Sequence, residues 1–303
     1  MSDKNGCMNR VAVIGGLNAD IWGRPSGPVI LRDSSPGSVT LTPGGVGRNI
    51  AHDLCLLGLD VSLISAVGGD PNGEFLLRSC RSLGMDVSHI LVVPGARSSS
   101  YLYITDECGD MQLAVNDMDI CGEISPAYLE TILPGIKAGA LVLDTNIPAS
   151  SLEFVCRTSS MPLYADPVSS VKAMKLLPVM KYIRAIKPNA LEAAALTGQS
   201  DPELAAAALI AMGAGRVFVS LGTNGMIAAE GSRVLRLPSP EASVVNTTGA
   251  GDAAMSAIVW ADMRGLSLED SARAAQLAGA ITCANEAANA PELSRLPDLL
   301  GAK

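Results

Sequence analysis

Short apolar runs alternate along the chain with longer stretches whose apolar positions recur at helical spacing. The runs Val11–Ile14, Val61–Ala66, Ala140–Leu143, Leu163–Ala165, Ile183–Ile186 and Val217–Leu221 predict strands. Between them, Gly47–Leu57, Gly73–Leu83, Ser151–Arg157, Ala190–Leu196, Pro202–Met212, Ala250–Met263 and Leu268–Ala287 predict helices. Such an alternation predicts an α/β fold, a mainly parallel sheet sandwiched by helices. Two stretches break the rhythm. Pro28–Thr42 and Ser98–Val115 read as strands separated by turns at Asp33–Gly37 and Asp106–Asp110. They fall between elements of the main sheet and predict a small β lid, with segments at about 25–43 and 97–119; a pair of ordinary surface hairpins would give the same pattern. No repeat, low-complexity tract or linker divides residues 1–303, so a single domain is expected.

Composition narrows the partners. A chain of 303 residues with 48% hydrophobic residues can bury a large core. Its formal charge of −8, from 22 basic and 30 acidic side chains, opposes a nucleic-acid surface. The few aromatic residues (two Trp, five Tyr, three Phe) argue against a stacking platform for single strands. Small molecules remain. The cysteines Cys7, Cys55, Cys80, Cys108, Cys121, Cys156 and Cys283 are odd in number and scattered, which fits a reducing cytosol rather than a disulfide framework or a thiolate zinc site. The opening MSDKNGCMNR reads as a polar tail before a buried strand, without a long apolar leader or an evident cleavage site. No apolar run approaches the ~18 residues that span a bilayer, so a cytoplasmic location without a membrane partner is expected.

The strongest chemical signal is Asn246-Thr-Thr-Gly-Ala-Gly-Asp252, opening an Ala-rich helix. Thr248 is a candidate N-cap, and Gly249 and Gly251 let backbone approach a ligand closely. Free N–H groups and the positive end of the helix dipole suit a phosphate. Asp252, in the first turn beside that anion site, is placed to take the proton of an attacking hydroxyl, or merely to satisfy the dipole. Gly249-Ala-Gly-Asp-Ala-Ala254 also matches the dinucleotide fingerprint, but Arg264-Gly-Leu-Ser267 leaves no room for the strand that should precede Glu269 and Asp270. No G-x-x-x-x-G-K-[ST] occurs. A second signal, Pro43-Gly-Gly-Val-Gly-Arg-Asn49, offers tight backbone at Gly44 and Gly45 and an amide at Asn49 for sugar hydroxyls, or else a Gly-rich turn with a buried amide. Asn18 and Asp20, just beyond the first strand, point at the cleft where parallel sheets bind ligands. Asn189 and Glu192 suit hydrated Mg²⁺ through water, or a capping box, or both. Asp166 is a weaker candidate for the same metal. Ser220 to Gly225, with Gly222 between, forms a turn that suits nucleotide phosphates or ribose, or a plain β-turn.

Together these segments resemble the ribokinase-like (PfkB) carbohydrate kinases over nearly the whole chain. The Gly-Gly-x-x-x-Asn and Thr-Gly-Ala-Gly-Asp segments match that family's two signature motifs, in order and about 200 residues apart. The resemblance implies ATP and Mg²⁺ as co-substrate and cofactor, an anion hole at Gly249, Ala250 and Gly251, and Asp252 as catalytic base. It further implies sugar contacts at Asn18, Asp20, Gly44, Gly45 and Asn49, and nucleotide contacts at Ser220, Gly222, Gly225 and Thr248. A lid that makes a homodimer contact is also implied. Asn246 stands where many members carry an Asp that helps bind a monovalent cation, which puts K⁺ in doubt. Thr42–Ala51, Ser65–Gly68, Val93–Gly95 with Ser99–Leu102, and Val115–Met118 resemble the members that phosphorylate the 5′-hydroxyl of pseudouridine. In that reading Asn116 and Asp117 close over the base; otherwise they are a polar turn. Ribokinase, other nucleoside and sugar kinases, and a non-catalytic sugar or nucleotide sensor are the alternatives.

Overall fold

A computed structural model describes residues 9–29, 32–106 and 110–301. Cys7, Cys108 and most of the polar tail lie outside the described residues, as do 30–31 and 107–109 within the two lid stretches.

The strands are β1 Arg10–Ile14, β2 Asn18–Pro25, β3 Gly37–Gly44, β4 Asp60–Gly68, β5 Ile90–Val93, β6 Ser100–Thr105, β7 Met111–Asp117, β8 Ala140–Asp144, β9 Leu163–Asp166, β10 Ile183–Ile186, β11 Arg216–Ser220, β12 Met226–Glu230 and β13 Arg233–Leu237. The principal helices are α1 Val46–Leu56, α2 Pro71–Ser82, α3 Pro126–Ile132, α4 Ala149–Thr158, α5 Ala190–Thr197, α6 Pro202–Ala211, α7 Ala250–Met263 and α8 Leu268–Cys283. Nine strands form the main sheet in the order β13-β12-β11-β10-β9-β8-β1-β4-β5, and four form a separate sheet in the order β3-β2-β6-β7. In the main sheet β12 runs against both its neighbours and the other pairings are parallel.

The period-2 alternation of β1 divides the core. Val11 and Val13 pack on one face with Ile50 and Leu54 of α1, Leu76 of α2 and the Ala-rich faces of α7 and α8. Ala12 and Ile14 pack on the other with Leu129 of α3, Leu152 and Val155 of α4, Leu196 of α5 and Leu209 of α6. Both faces of the central strands are therefore buried, as parallel sheets require. Alanines at 253, 257, 274 and 278, all fully buried, let α7 and α8 approach the sheet and each other closely. The far end of α7 is anchored by Asp262, which accepts from Tyr164 at 2.6 Å and pairs with Arg184 at 2.8 Å and Arg216 at 2.9 Å. An acid at a helix C-terminus opposes the dipole, so it persists there only because three donors from β9, β10 and β11 hold it. That clamp fixes where the other end of α7, with Asp252, must lie.

Several expectations change. Asn18 and Asp20, expected just beyond β1, lie on β2, the first strand of the small sheet. Among the described residues the first lid stretch contributes one strand, β3, which begins at Gly37 rather than Pro28, and its partner is β2, whose run precedes it. The second stretch gives β6 and β7, antiparallel to each other, and β2 joins β6 in parallel. The last helix ends at Cys283 rather than Ala287, because Val245 and Asn246 donate backbone N–H groups to the Cys283 carbonyl and the chain turns away.

Candidate active site

The carboxyl ends of β1, β8, β9, β10 and β11 lie on one edge of the main sheet, and the chemical residues collect there. Asp144 ends β8 fully buried. It accepts from the backbone N–H of Gly16 at 2.8 Å, Gly47 at 2.7 Å and Asn146 at 2.8 Å. One carboxylate thus ties the loop after β1 to the glycine turn before α1. Burial still pushes its pKa up, opposed by those donors. Asp20 is placed over Gly44, so closely that a side chain at 44 would have to push the carboxylate aside. It accepts from the Asn18 amide. Burial pushes its carboxyl up to about 6, against the pull of Asn18 and Arg48.

The turn before α7 departs from the expected cap. Thr248 is not the N-cap: its N–H donates to Asn246 Oδ1 at 3.0 Å, and Gly249 occupies the cap position at φ 81, without any side-chain cap. A side chain at 249 would also collide with the Ala288 carbonyl, so only glycine serves here. Ala250 turns its N–H toward the Thr247 carbonyl at 3.3 Å. The N–H groups of Gly251 and Asp252 follow, in the first turn, where the helix itself supplies no acceptor. Asp252 does not fold back to cap them. Its Oδ2 accepts from Asn49 Nδ2 at 2.9 Å, and this bond joins α7 to α1 across 203 positions of sequence. Burial, with the charges of Asp166 and Asp53, raises the Asp252 carboxyl well above the usual carboxylate range, while Asn49 and Lys187 oppose the rise.

Lys187 was not among the expected site residues. It is buried, 3.5 Å from Asp166 Oδ2, and its ammonium stands 3.4 Å from where a side chain at Gly251 would begin. A cation thus adjoins the uncapped α7 terminus. Its signal in the sequence was a lysine opening the Lys187-Pro-Asn189 segment. Asn189 and Glu192 form a closed capping box on α5: Glu192 donates its N–H to Asn189 Oδ1, and Asn189 its own N–H to Glu192 Oε2, both at 2.9 Å. Asp166 accepts from the Val168 N–H at 2.8 Å. No group of three metal-ligating side chains occurs among the described residues. The capping box leaves the second oxygen of Glu192 free, where it could hold a hydrated cation. Ser220, at the end of β11, donates its N–H to the Pro188 carbonyl, beside Asn189; the turn from Gly222 to Gly225 follows.

The small sheet has two unlike faces. Register places Asp20, Trp22, Tyr101, Tyr103 and Asn116 on one. Trp22 and Tyr103 stack at 6.2 Å between ring centroids, and Tyr101 lies 5.4 Å from Tyr103. Three of the chain's few aromatic residues therefore gather beside Asp20, which composition alone concealed. Alternation sends Asp117 to the opposite face, where it pairs with Arg97 at 3.2 Å. Asn116 and Asp117 are thus not brought together.

A family model described as pfkB family carbohydrate kinase matches residues 8–295. The chain is 37% identical over 292 residues to the pseudouridine kinase of Escherichia coli strain K12, spanning 94% of this chain and 93% of that protein. A carbohydrate kinase from Agrobacterium tumefaciens superposes with a TM-score of 0.83 at 28% identity, covering 97% of each chain. The ribokinase of Arabidopsis thaliana, complexed with ribose and ATP, superposes with a TM-score of 0.79 at 21% identity, over 96% of this chain and 98% of that one.

Proposed function

Since the chain belongs to the pfkB family of carbohydrate kinases and is a phosphotransferase with an alcohol acceptor, we propose that it transfers the γ-phosphoryl group of ATP to the 5′-hydroxyl of pseudouridine. The observation that carries this reading is the open start of α7. There Asp252 is held by Asn49 instead of capping its helix, no side chain caps the N–H groups of the first turn, and Lys187 stands beside Gly251.

In this reading the ribose lies over Gly44 and Gly45, with Asp20, Asn18 and Asn49 accepting and donating to its hydroxyls. Asp252 takes the proton of the 5′-hydroxyl through the oxygen that Asn49 leaves free. As the new P–O bond forms, the bond from phosphorus to the bridging oxygen breaks and ADP departs. The α7 N–H groups and Lys187 neutralise charge gathering on the phosphoryl oxygens, so the protein mostly positions and screens. Nucleotide contacts fall to Ser220, Gly222, Gly225 and Thr248. Glu192, through the oxygen its capping box leaves free, and Asp166 beyond it would hold hydrated Mg²⁺, which would supply positive charge to the phosphates of ATP. The base stacks on the Trp22–Tyr103–Tyr101 face within reach of Asn116, and the small sheet acts as a lid. The E. coli relative and the ribose and ATP in the Arabidopsis neighbour support this assignment.

The same reading extends to assembly and ions. The outer face of the small sheet carries Val39, Leu41, Leu102, Leu113 and Val115 in register, with Val39 77% exposed and Val115 59%. That apolar stripe suits a homodimer contact between two lids. Asn246 donates Nδ2 to the Glu286 carbonyl at 2.8 Å, a contact a carboxylate could not make, which supports turnover without K⁺. Cys55, Cys80, Cys121, Cys156 and Cys283 are free thiols, which suits the cytosol. The assignment is tested by ADP release with pseudouridine, uridine and ribose. Strong preference for pseudouridine is expected. Equal use of ribose would overturn the acceptor and leave the family untouched.

A further inference from the structure

Asn49 lies between a guanidinium and a carboxylate. Arg48, only 5% exposed, donates Nη1 to Asn49 Oδ1 at 3.1 Å and to Asn289 Oδ1 at 2.6 Å. Asn289 donates Nδ2 to Asp53 Oδ1 at 2.8 Å and to the Asn49 carbonyl at 3.1 Å. The chemistry of these groups fixes every amide orientation. A guanidinium has no acceptor, so each amide must show it an oxygen and turn its NH₂ the other way. For Asn289 the other way is Asp53. For Asn49 it is Asp252. The chain Asp53–Asn289–Arg48–Asn49–Asp252 therefore runs without a choice at any link, through side chains that are nearly all withdrawn from water. Burial makes each link costly to leave unmade.

Asn289 comes from the segment after α8, which also grips the anion turn. Its neighbour Ala288 puts a carbonyl against Gly249, and Glu286 accepts from Asn246. One loop thus touches both helix starts that meet at the site. We infer that Arg48 and Asn289 are positioning residues for the proton acceptor: they lock the Asn49 amide with its N–H toward Asp252, committing one carboxylate oxygen and leaving the other for the substrate hydroxyl. With Arg48 gone, the Asn49 amide is free to rotate and present its oxygen to Asp252. The carboxylate then turns away from the hydroxyl or is driven to hold a proton.

The inference rests on Asp252 as the base, and the test keeps the two apart. Single-turnover and steady-state rates are measured for Arg48→Met and Asn289→Ala, alone and on an Asn49→Ala background, with Asp252→Asn beside them. Each single variant is expected to lower kcat about 10- to 100-fold, the cost of misplacing a reacting group, with the KM for ATP unchanged. On the Asn49→Ala background both losses should vanish, because the residue through which they act is gone. Losses that multiply undiminished on that background, or kcat at the wild-type level in both single variants, overturn the inference while Asp252→Asn remains inactive. A fully active Asp252→Asn instead overturns the base reading and the inference with it. A merely structural role would lower the melting temperature and raise both KM values instead of lowering kcat alone. Should Arg48→Met fail to fold, Asn289→Ala carries the cycle, since it removes one loop side chain and no charge.

Discussion

The starts of α5 and α7 present the same local pattern: an acid at the third helical position, near the carboxyl edge of one sheet. Their fates differ. At α5 the cap is Asn189, and Glu192 returns to its own backbone to close a capping box. At α7 the cap is Gly249, which has no side chain to offer, and Asp252 is drawn across to Asn49 on another helix. The first helix spends its acid on itself. The second keeps N–H groups and a carboxylate oxygen available for something else. Position in a helix therefore does not decide whether an acid caps its own backbone; the distant partner does.

That contrast can be broken most sharply at Asp252. Asp252→Asn preserves shape and still meets Asn49, but cannot accept a proton, so kcat is expected to fall about 10²–10⁴-fold. Near-normal turnover would make Asp252 a dipole residue like any other. A smaller effect is expected at the other helix. Glu192→Ala opens the capping box and should cost about 1 kcal/mol in denaturant unfolding. Glu192→Gln can keep the box through its amide oxygen while losing the charge. A raised Mg²⁺ requirement in both variants, with stability lost only in the Ala variant, would show that Glu192 also serves a hydrated cation. An unchanged Mg²⁺ titration in both would make the two helix starts as different in role as in geometry. The mildest change concerns pH. Because Asp252 is held above the usual carboxylate range, and a base must be ionised, kcat should decline as pH falls through a limb above that range. Asp166 raises that carboxyl, so Asp166→Asn should move the limb to lower pH. A limb that moves upward, or stays put, would remove Asp166 from the surroundings of the base.

What was legible in the sequence follows the range of the forces involved. Val11–Ile14 and Val61–Ala66 announced buried strands because burial on two faces demands unbroken apolar runs. Gly249 announced the tight turn into α7 because backbone geometry leaves a mark at the residue itself. The hairpin β12–β13 at the sheet edge went unread, since the exposed Arg-Val-Leu-Arg-Leu of β13 lacks an apolar run. Asn18 and Asp20 were placed just beyond β1 with no strand of their own, because β2 includes polar residues that its small, half-exposed sheet tolerates. Arg48 and Asn289 left no local mark at all. Their meaning lies in a contact between positions 241 residues apart, which only the folded chain supplies. The aromatic face was hidden for a related reason: three rings are few in a composition and many on one face of a four-stranded sheet.

The parallel pair β2–β6 carries a kinetic consequence. Each hairpin of the small sheet closes a short loop and can form early, but Ala19 meets Ser100 only after the intervening β4, α2 and β5 have folded back into place. Closing that long loop demands entropy before any contact repays it. The small sheet is therefore not a unit that can close by itself: its two hairpins join only when the main sheet has brought Ser100 back to Ala19, so loosening β4 or β5 should part the hairpins without unfolding either.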